Sequence, residues 1–401
     1  MRDRLRVAIL GTRGVPARYG GFETFAEQLS TRLASRGHDV TVYGRAGVVD
    51  PALDGERYRG VRVVVLPAPR AKHLETVVHT LRSAWSARRE RFDFALVCNG
   101  ANFAALPLLR SAGTATALAV DGIESAHRKW GALGRAFHRL AARLGPQLAD
   151  VVIADCRVIE EHYRAAGAPA VEMIAYGAEP PEARSTGTLE RLGVAPRGYV
   201  LYVSRLEPEN NADVVIRAYR AAGIALDLVV VGDAPYADRY KASLRRLAAD
   251  ESRIHFAGSV FGEGYDELRA HAAGYVQATD VGGTHPALLE AMAAELPIVA
   301  NDIPEHREVL ADAGWYYRRN SVEGLAARLV ELFGTADARD PDSTARAALR
   351  AARASRARHR VADLYDWEHV TTAYEALAFR LLPGAAGSRA VAEPPVEAAK
   401  L

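Results

Sequence analysis

Cysteine is nearly absent: two in 401 residues. That excludes a disulfide-stapled secreted fold. Cys98 and Cys156 lie in the apolar runs Phe94 to Cys98 and Val151 to Cys156, and read as small core residues. No uncharged apolar run reaches the ~20 residues that a membrane-spanning helix needs. The start, Met1-Arg2-Asp3-Arg4-Leu5-Arg6, has no apolar export segment, so a cytoplasmic protein is expected. One-sided charge is missing too. The 51 basic and 49 acidic residues leave a net +2, which speaks against a nucleic-acid partner. What remains is ordinary for a globular chain: 49% hydrophobic and 25% charged residues. At ~150 residues per domain, two domains are expected.

The pattern along the chain is strand, loop, helix, repeated. Val7 to Leu10 reads as a strand entering a glycine-rich loop, and Gly21 to Gly37 as a helix with Phe22, Phe25, Ala26, Leu29 and Leu33 on one face. Strands follow at Val40–Tyr43, Val61–Leu66, Phe94–Cys98 and Ala115–Val120, with a basic helix over Ala71–Arg89. A second such unit has strands at Tyr199–Val203, Leu226–Val231, Ile254–Ala257, Gly274–Ala278 and Pro297–Ala300, and a helix over Pro286–Glu295. Alternation of this kind predicts parallel sheets covered by helices. The expected division is an N-terminal domain 1–176, a hinge at Gly177 to Pro181 opening a C-terminal domain 177–361, a last helix 362–382 and a disordered tail 383–401.

Charge divides unevenly. Residues 1–177 hold 25 Lys+Arg and 17 Asp+Glu, a net of 25 − 17 = +8; the remainder holds 26 and 32, a net of −6. Ser125 to Ala149 contains Arg128, Lys129, Arg135, Arg139 and Arg143 and no acid. Within it Trp130, Leu133, Phe137, Leu140 and Leu144 recur at helical spacing. Two readings stay open: a helix docked on its sheet by that stripe, or a contact with anionic lipid or a lipid-linked substrate.

Open parallel sheets bind ligands beyond the C-terminal ends of their strands. The first such loop runs from Gly11 to Gly21 and opens a helix, but lacks the Gly-x-Gly pair of a dinucleotide site. Arg205, after the strand Tyr199–Val203, can meet a phosphate; alone it would read as a surface ion pair. Gly282-Gly283-Thr284-His285-Pro286 precedes a helix, where free amides suit a phosphate. Glu290, one turn on, can accept hydrogen bonds from ribose hydroxyls. The three together suggest a diphosphate held between two domains.

These motifs, with Leu288-Leu289-Glu290-Ala291-Met292, resemble the GT-B retaining glycosyltransferases of glycosyltransferase family 4 over about residues 5–380. Gly11-Thr12-Arg13-Gly14, Tyr19-Gly20-Gly21-Phe22-Glu23-Thr24, Asp121-Gly122-Ile123-Glu124, Glu207-Pro208-Glu209-Asn210-Asn211 and Gly232-Asp233-Ala234-Pro235-Tyr236 resemble the bacterial rhamnosyltransferase branch that makes surface polysaccharides. The resemblance implies two Rossmann-like domains facing a cleft, with the last helix returning to the N-terminal domain. It implies transfer of a sugar, rhamnose from dTDP-rhamnose, to a saccharide or lipid-linked saccharide. The basic charge of the N-terminal domain adds the expectation of peripheral contact at the inner membrane face.

Carried onto this chain, the resemblance makes Asp121 and Arg205 catalytic. It puts the donor against Gly20, Gly21, Arg205, Asn210, Gly283, Thr284, His285 and Glu290, and the acceptor against Arg13, Tyr19, Glu23 and Glu124. Two positions depart from the wider family: Gly282 replaces a usual glutamate, and Asn210 a usual lysine. No metal-ligand cluster and no glycosidase-like carboxylate pair stands out, so a metal-independent, cofactor-free front-face transfer is expected. A sugar-nucleotide epimerase, with His127, His285 or His306 as acid or base, and a catalytically silent nucleotide-sugar binder are the alternatives.

Overall fold

The computed structural model describes residues 3–18, 20–69, 75–123, 131–235, 237–335 and 343–382. Tyr19, Glu124, His127, Tyr236 and the tail 383–401 lie outside them, as do residues 71–74 of the expected basic helix and 125–130, which include Trp130 of the stripe. In the N-terminal domain, strands β1 (Arg6–Leu10), β2 (Asp39–Arg45), β3 (Arg57–Tyr58), β4 (Val61–Leu66), β5 (Phe94–Cys98), β6 (Ala115–Val120), β7 (Val151–Ala154) and β8 (Val171–Met173) form one sheet. Its order is β3-β4-β2-β1-β5-β6-β7-β8, and only β3 runs antiparallel to its neighbour. In the C-terminal domain, β9 (Tyr199–Val203), β10 (Asp227–Val231), β11 (Ile254–Gly258), β12 (Gly274–Gln277), β13 (Ile298–Asn301) and β14 (Trp315–Tyr317) make a parallel sheet ordered β11-β10-β9-β12-β13-β14.

The central strands are near-continuous runs of small and β-branched apolar residues because helices cover both faces. Every residue of β5, β6 and β7 is buried. Cys98 lies within β5 and Cys156 just beyond β7; both thiols are buried and free, as expected. The first helix, Gly21–Ser35, buries Phe25, Ala26, Leu29 and Leu33. It ends at Gly37, whose φ of +93° lets the Gly37 and His38 amides close on the Ala34 and Leu33 carbonyls.

The chain crosses between domains at Tyr176–Ala178 and returns at Tyr365. The last helix, Trp367–Arg380, then packs on Gly21–Ser35. The Phe25 ring lies 5.3 Å from Tyr176, 5.4 Å from Tyr374 and 6.3 Å from Trp367. Arg36 pairs with Glu368 and Glu375 at 2.7 Å each, and His38 Nε2 lies 2.8 Å from Glu375. Aromatic contacts contribute ~0.5–1.5 kcal/mol each beyond burial; exposed ion pairs contribute ~0–1. The rings therefore hold the helix, and the charges orient it. A side chain at Gly177 would set its Cβ 2.6 Å from Trp367 Cδ2, so the crossing needs glycine.

The basic amphipathic helix is Ala132–Leu148, and it does not dock by its stripe. His138, Ala141, Gly145 and Pro146 are its buried residues. Leu133, Phe137, Leu140 and Leu144 are 89%, 37%, 49% and 39% exposed. The small residues allow close approach: a Cβ on Gly145 would sit 2.9 Å from Leu118 Cδ2. That seat leaves the larger side chains outward.

Candidate active site

The C-terminal ends of the two sheets face one another across a cleft of about 990 Å³. The loop after β1, Asn99 after β5, Asp121 after β6 and Asp155 after β7 line one wall. Arg205 after β9, Gly232-Asp233 after β10, Ser259 after β11 and the Thr279–His285 loop after β12 line the other. Of the site residues expected from sequence and described here, Arg13, Gly20, Gly21, Glu23, Asp121, Arg205, Asn210, Gly283, His285 and Glu290 all line this cleft.

Two helices begin against each other across it. A Cβ on Gly21 would lie 3.2 Å from Pro286 Cγ, the first residue of helix Pro286–Ala293. Two positive dipole ends thus converge, which favours an anion between them. Glu23 is buried, and burial raises its carboxyl above the usual range. It accepts the Arg13 amide at 2.9 Å, so one of its acceptor sites holds the first loop in place.

On the opposite wall the Arg205 side chain is 43% exposed and lies 3.7 Å from Glu207. Asn210, replacing the usual lysine, gives its Nδ2 to the Arg205 carbonyl at 2.7 Å and fixes the loop rather than adding charge. The Glu290 carboxylate accepts from Tyr265 Oη at 2.7 Å. Burial raises its pKa, opposed by the nearby Arg269 guanidinium. Arg269 stacks on the Tyr265 ring at 4.9 Å and pairs with Asp266.

His285 has a φ of +55°. Its ring packs 4.9 Å from His306 and blocks position 282: a Cβ there would lie 2.4 Å from His285 Cε1. Behind it runs a buried polar chain. Tyr275 Oη donates to Gln277 Oε1 at 2.9 Å, and Gln277 Nε2 donates to Thr279 Oγ1 at 2.6 Å. Thr279 Oγ1 lies 3.1 Å from His306 Nε2, and His306 Nδ1 lies 2.8 Å from the Asn301 carbonyl. Nδ1 therefore carries the proton, and burial depresses the His306 pKa to about 4.

Thr284 departs from expectation. It is fully buried; its amide bonds Asp155 Oδ2 at 2.9 Å and its hydroxyl donates to the Asp155 carbonyl. These bonds join the two domains, so Thr284 does not face the cleft. Among the described residues, no group of three or more His, Cys, Asp or Glu is placed to hold a metal ion, and no helix is long and apolar enough to cross a membrane.

A family model described as "Glycosyl transferase 4-like domain" matches residues 20–177, and one described as "Glycosyl transferases group 1" matches 197–335. The GDP-mannose-dependent alpha-(1-6)-phosphatidylinositol monomannoside mannosyltransferase of Mycolicibacterium smegmatis is 30% identical over 325 residues, 73% of this chain and 79% of that protein. The chain belongs to the group 1 glycosyltransferases. A further relative is O-antigen chain mannosyltransferase B of Escherichia coli. It is 26% identical over 147 residues, 36% of this glycosyltransferase and 39% of that protein, so the match spans under half the relative's length.

Solved structures share the fold. Sucrose-phosphate synthase from Thermosynechococcus elongatus superposes with a TM-score of 0.76 at 17% identity, covering 95% of this chain and 99% of that one. Anabaena HepE in complex with UDP-glucose gives 0.71 at 18% identity, covering 93% and 99%. The enzyme is thus a GT-B glycosyltransferase. Asp155, Tyr265 and Arg269 escaped the reading of its sequence. Asp155 ends an apolar strand, and the helix Glu263–Ala270 carries no motif; only partners distant in the chain reveal them.

Proposed function

We propose that this glycosyltransferase moves a sugar, with retention, from a nucleoside-diphosphate donor to a saccharide acceptor. The observation that carries the reading is the meeting of Arg205, Glu290 and two helix N-termini in one cleft. In it Arg205 and the amides at Gly21 and Gly283 hold the diphosphate, and Glu290 the ribose. Glu290 suits that role because Tyr265 and Arg269 already set its carboxylate in place. Asp121 stands beside the reacting sugar. The leaving phosphate oxygen takes the acceptor proton on the same face of the sugar, and the protein supplies position and field without a metal.

Rhamnose from dTDP-rhamnose is the donor we infer, on the loop Gly282 to Pro286 and the segment Glu207 to Asn211. The specific support for GDP-mannose as a second reading is the 30% identical relative that uses it. A lipid-linked acceptor, met at an anionic membrane, is inferred from the uncovered Leu133, Phe137, Leu140 and Leu144 and the exposed Arg135, Arg139 and Arg143 beside them.

The test is thermal stabilisation by dTDP, UDP and GDP, with and without magnesium. Millimolar ligand at micromolar affinity stabilises by ~4 kcal/mol. A shift with one of them, equal without magnesium and lost in Arg205→Ala, is expected. A full shift and full turnover in Arg205→Ala would overturn the diphosphate assignment. A shift without turnover would favour the silent binder, and no shift with any nucleotide would overturn the donor site itself.

A further inference from the structure

The end of β7 carries a buried carboxyl that the proposed chemistry leaves unused. Val120 and Ala154 are register partners on the adjacent parallel strands β6 and β7. The residues that follow, Asp121 and Asp155, are therefore neighbours on one rim of the cleft, ~5 Å apart along the sheet. Asp155 is 4% exposed. Its Oδ2 accepts the Thr284 amide at 2.9 Å, and its carbonyl takes the Thr284 hydroxyl. Oδ1 is buried with no hydrogen-bond partner. The carboxyl lies flat on Gly283, where a Cβ would stand 2.1 Å from Oδ1 and 2.2 Å from Oδ2. Glycine at 283 is what admits this contact. Nearby, Glu308 of the C-terminal domain accepts the Arg157 amide at 2.8 and 3.0 Å.

We propose that Asp155 is a positioning residue for transfer, docking the Gly283–Thr284 loop on the N-terminal domain and so setting the width of the cleft.

The groups that face it decide how the docking responds to pH. They are Asp121 on the neighbouring strand, the phenols of Tyr176 and Tyr374 and the thiol of Cys156. Burial pushes all three of these last groups up, so they stay neutral. Burial first, and Asp121 second, raise the Asp155 carboxyl to about 8. A carboxyl exposed by opening returns to the usual range. Closure then takes up a proton: the docked state is favoured fully at low pH, loses ground as pH rises towards about 8 and levels off above it. Asparagine at 155 offers the same acceptor with no proton to lose.

The test is the distance between spin labels on the full chain at Ala52→Cys and Ala249→Cys, one exposed site per domain. The native cysteines are buried and stay unlabelled. Distances are compared near pH 5 and near pH 9, ~4 units that bracket the inferred change. The unaltered site should lengthen and broaden with pH. Asp155→Asn should stay short at both values, and Asp155→Ala and Gly283→Ala long at both. An unaltered distance that ignores pH, an Asp155→Asn distance that still follows it, or an Asp155→Ala distance that stays short would each overturn the proposal. Asp155→Asn keeps the test decisive if the alanine variant fails to fold. No nucleotide is involved, so failure here is separate from failure of the donor assignment.

Discussion

Gly282 stands where the wider family usually has glutamate, and restoring a side chain there should harm this enzyme. Two costs arise. Its φ of +153° is a conformation that side chains rarely take, worth ~1–3 kcal/mol of strain. An added Cβ would also lie 2.4 Å from Cε1, 2.9 Å from Nε2 and 3.2 Å from Nδ1 of His285. Moving that ring breaks its packing on His306 and its contact with Thr279 Oγ1 at 3.3 Å. Overpacking of this kind costs ~1–3 kcal/mol. Gly282→Ala should therefore lose ~2–6 kcal/mol in all. Gly282→Glu should lose at least as much and raise no activity. The assay is a double-mutant cycle on thermal stability and nucleotide affinity, with Gly282→Ala, His285→Ala and both. The double variant removes the collision but keeps the φ strain. It should be more stable than the sum of the singles by ~1–3 kcal/mol. Additivity within ~0.5 kcal/mol, or a cost-free Gly282→Ala, would refute the claim that His285 excludes a side chain at 282.

Two further outcomes are expected. His306 and His79 are held neutral, both with pKa depressed to about 4 by burial. Stability from this source is complete above the ordinary histidine value of ~6.5, is lost progressively as pH falls from there to about 4, by up to ~3 kcal/mol per group, and levels off below. The melting point should drop on going from neutral pH to near 4.5, and drop less in His306→Gln; an equal drop would exclude His306 as a source. Replacing Leu133 and Leu140 together by glutamate should abolish sedimentation with vesicles rich in anionic lipid while leaving the melting point unchanged, since both side chains are exposed; undiminished sedimentation would remove this stripe from any membrane contact.

Much of the fold was legible because parallel strands buried on both faces cannot hide: Val7–Leu10, Phe94–Cys98 and Tyr199–Val203 announce themselves as apolar runs. The loops after them followed, and the resemblance to family 4 glycosyltransferases placed on them ten of the described residues that line the cleft. What stayed hidden did so for physical reasons. β8 and β14 are three residues long, too short for any period. The helix Ala132–Leu148 shows a clear stripe, yet its docking face is chosen by the small residues Ala141 and Gly145, which spacing of large side chains cannot reveal. Asp155 and Thr284 are 129 residues apart, and nothing local marks either as a partner. Thr284 read as a phosphate ligand because its loop has the right residues; the neighbouring domain takes up its donors.

The two crossings between domains lie side by side, and the Ala178 amide bonds the Tyr365 carbonyl at 2.9 Å. A single tether would let one lobe spin as well as swing. Two tethers pinned together remove the spin. The paired crossings sit like the spine of a book, with the two walls of the cleft as its facing pages. The return helix, Trp367–Arg380, also makes the first lobe a composite of two stretches far apart in the chain. A fragment ending at Gly177 would bare the face of Phe25 that Tyr374 and Trp367 cover, and the lobes are therefore separable in space but not in the gene.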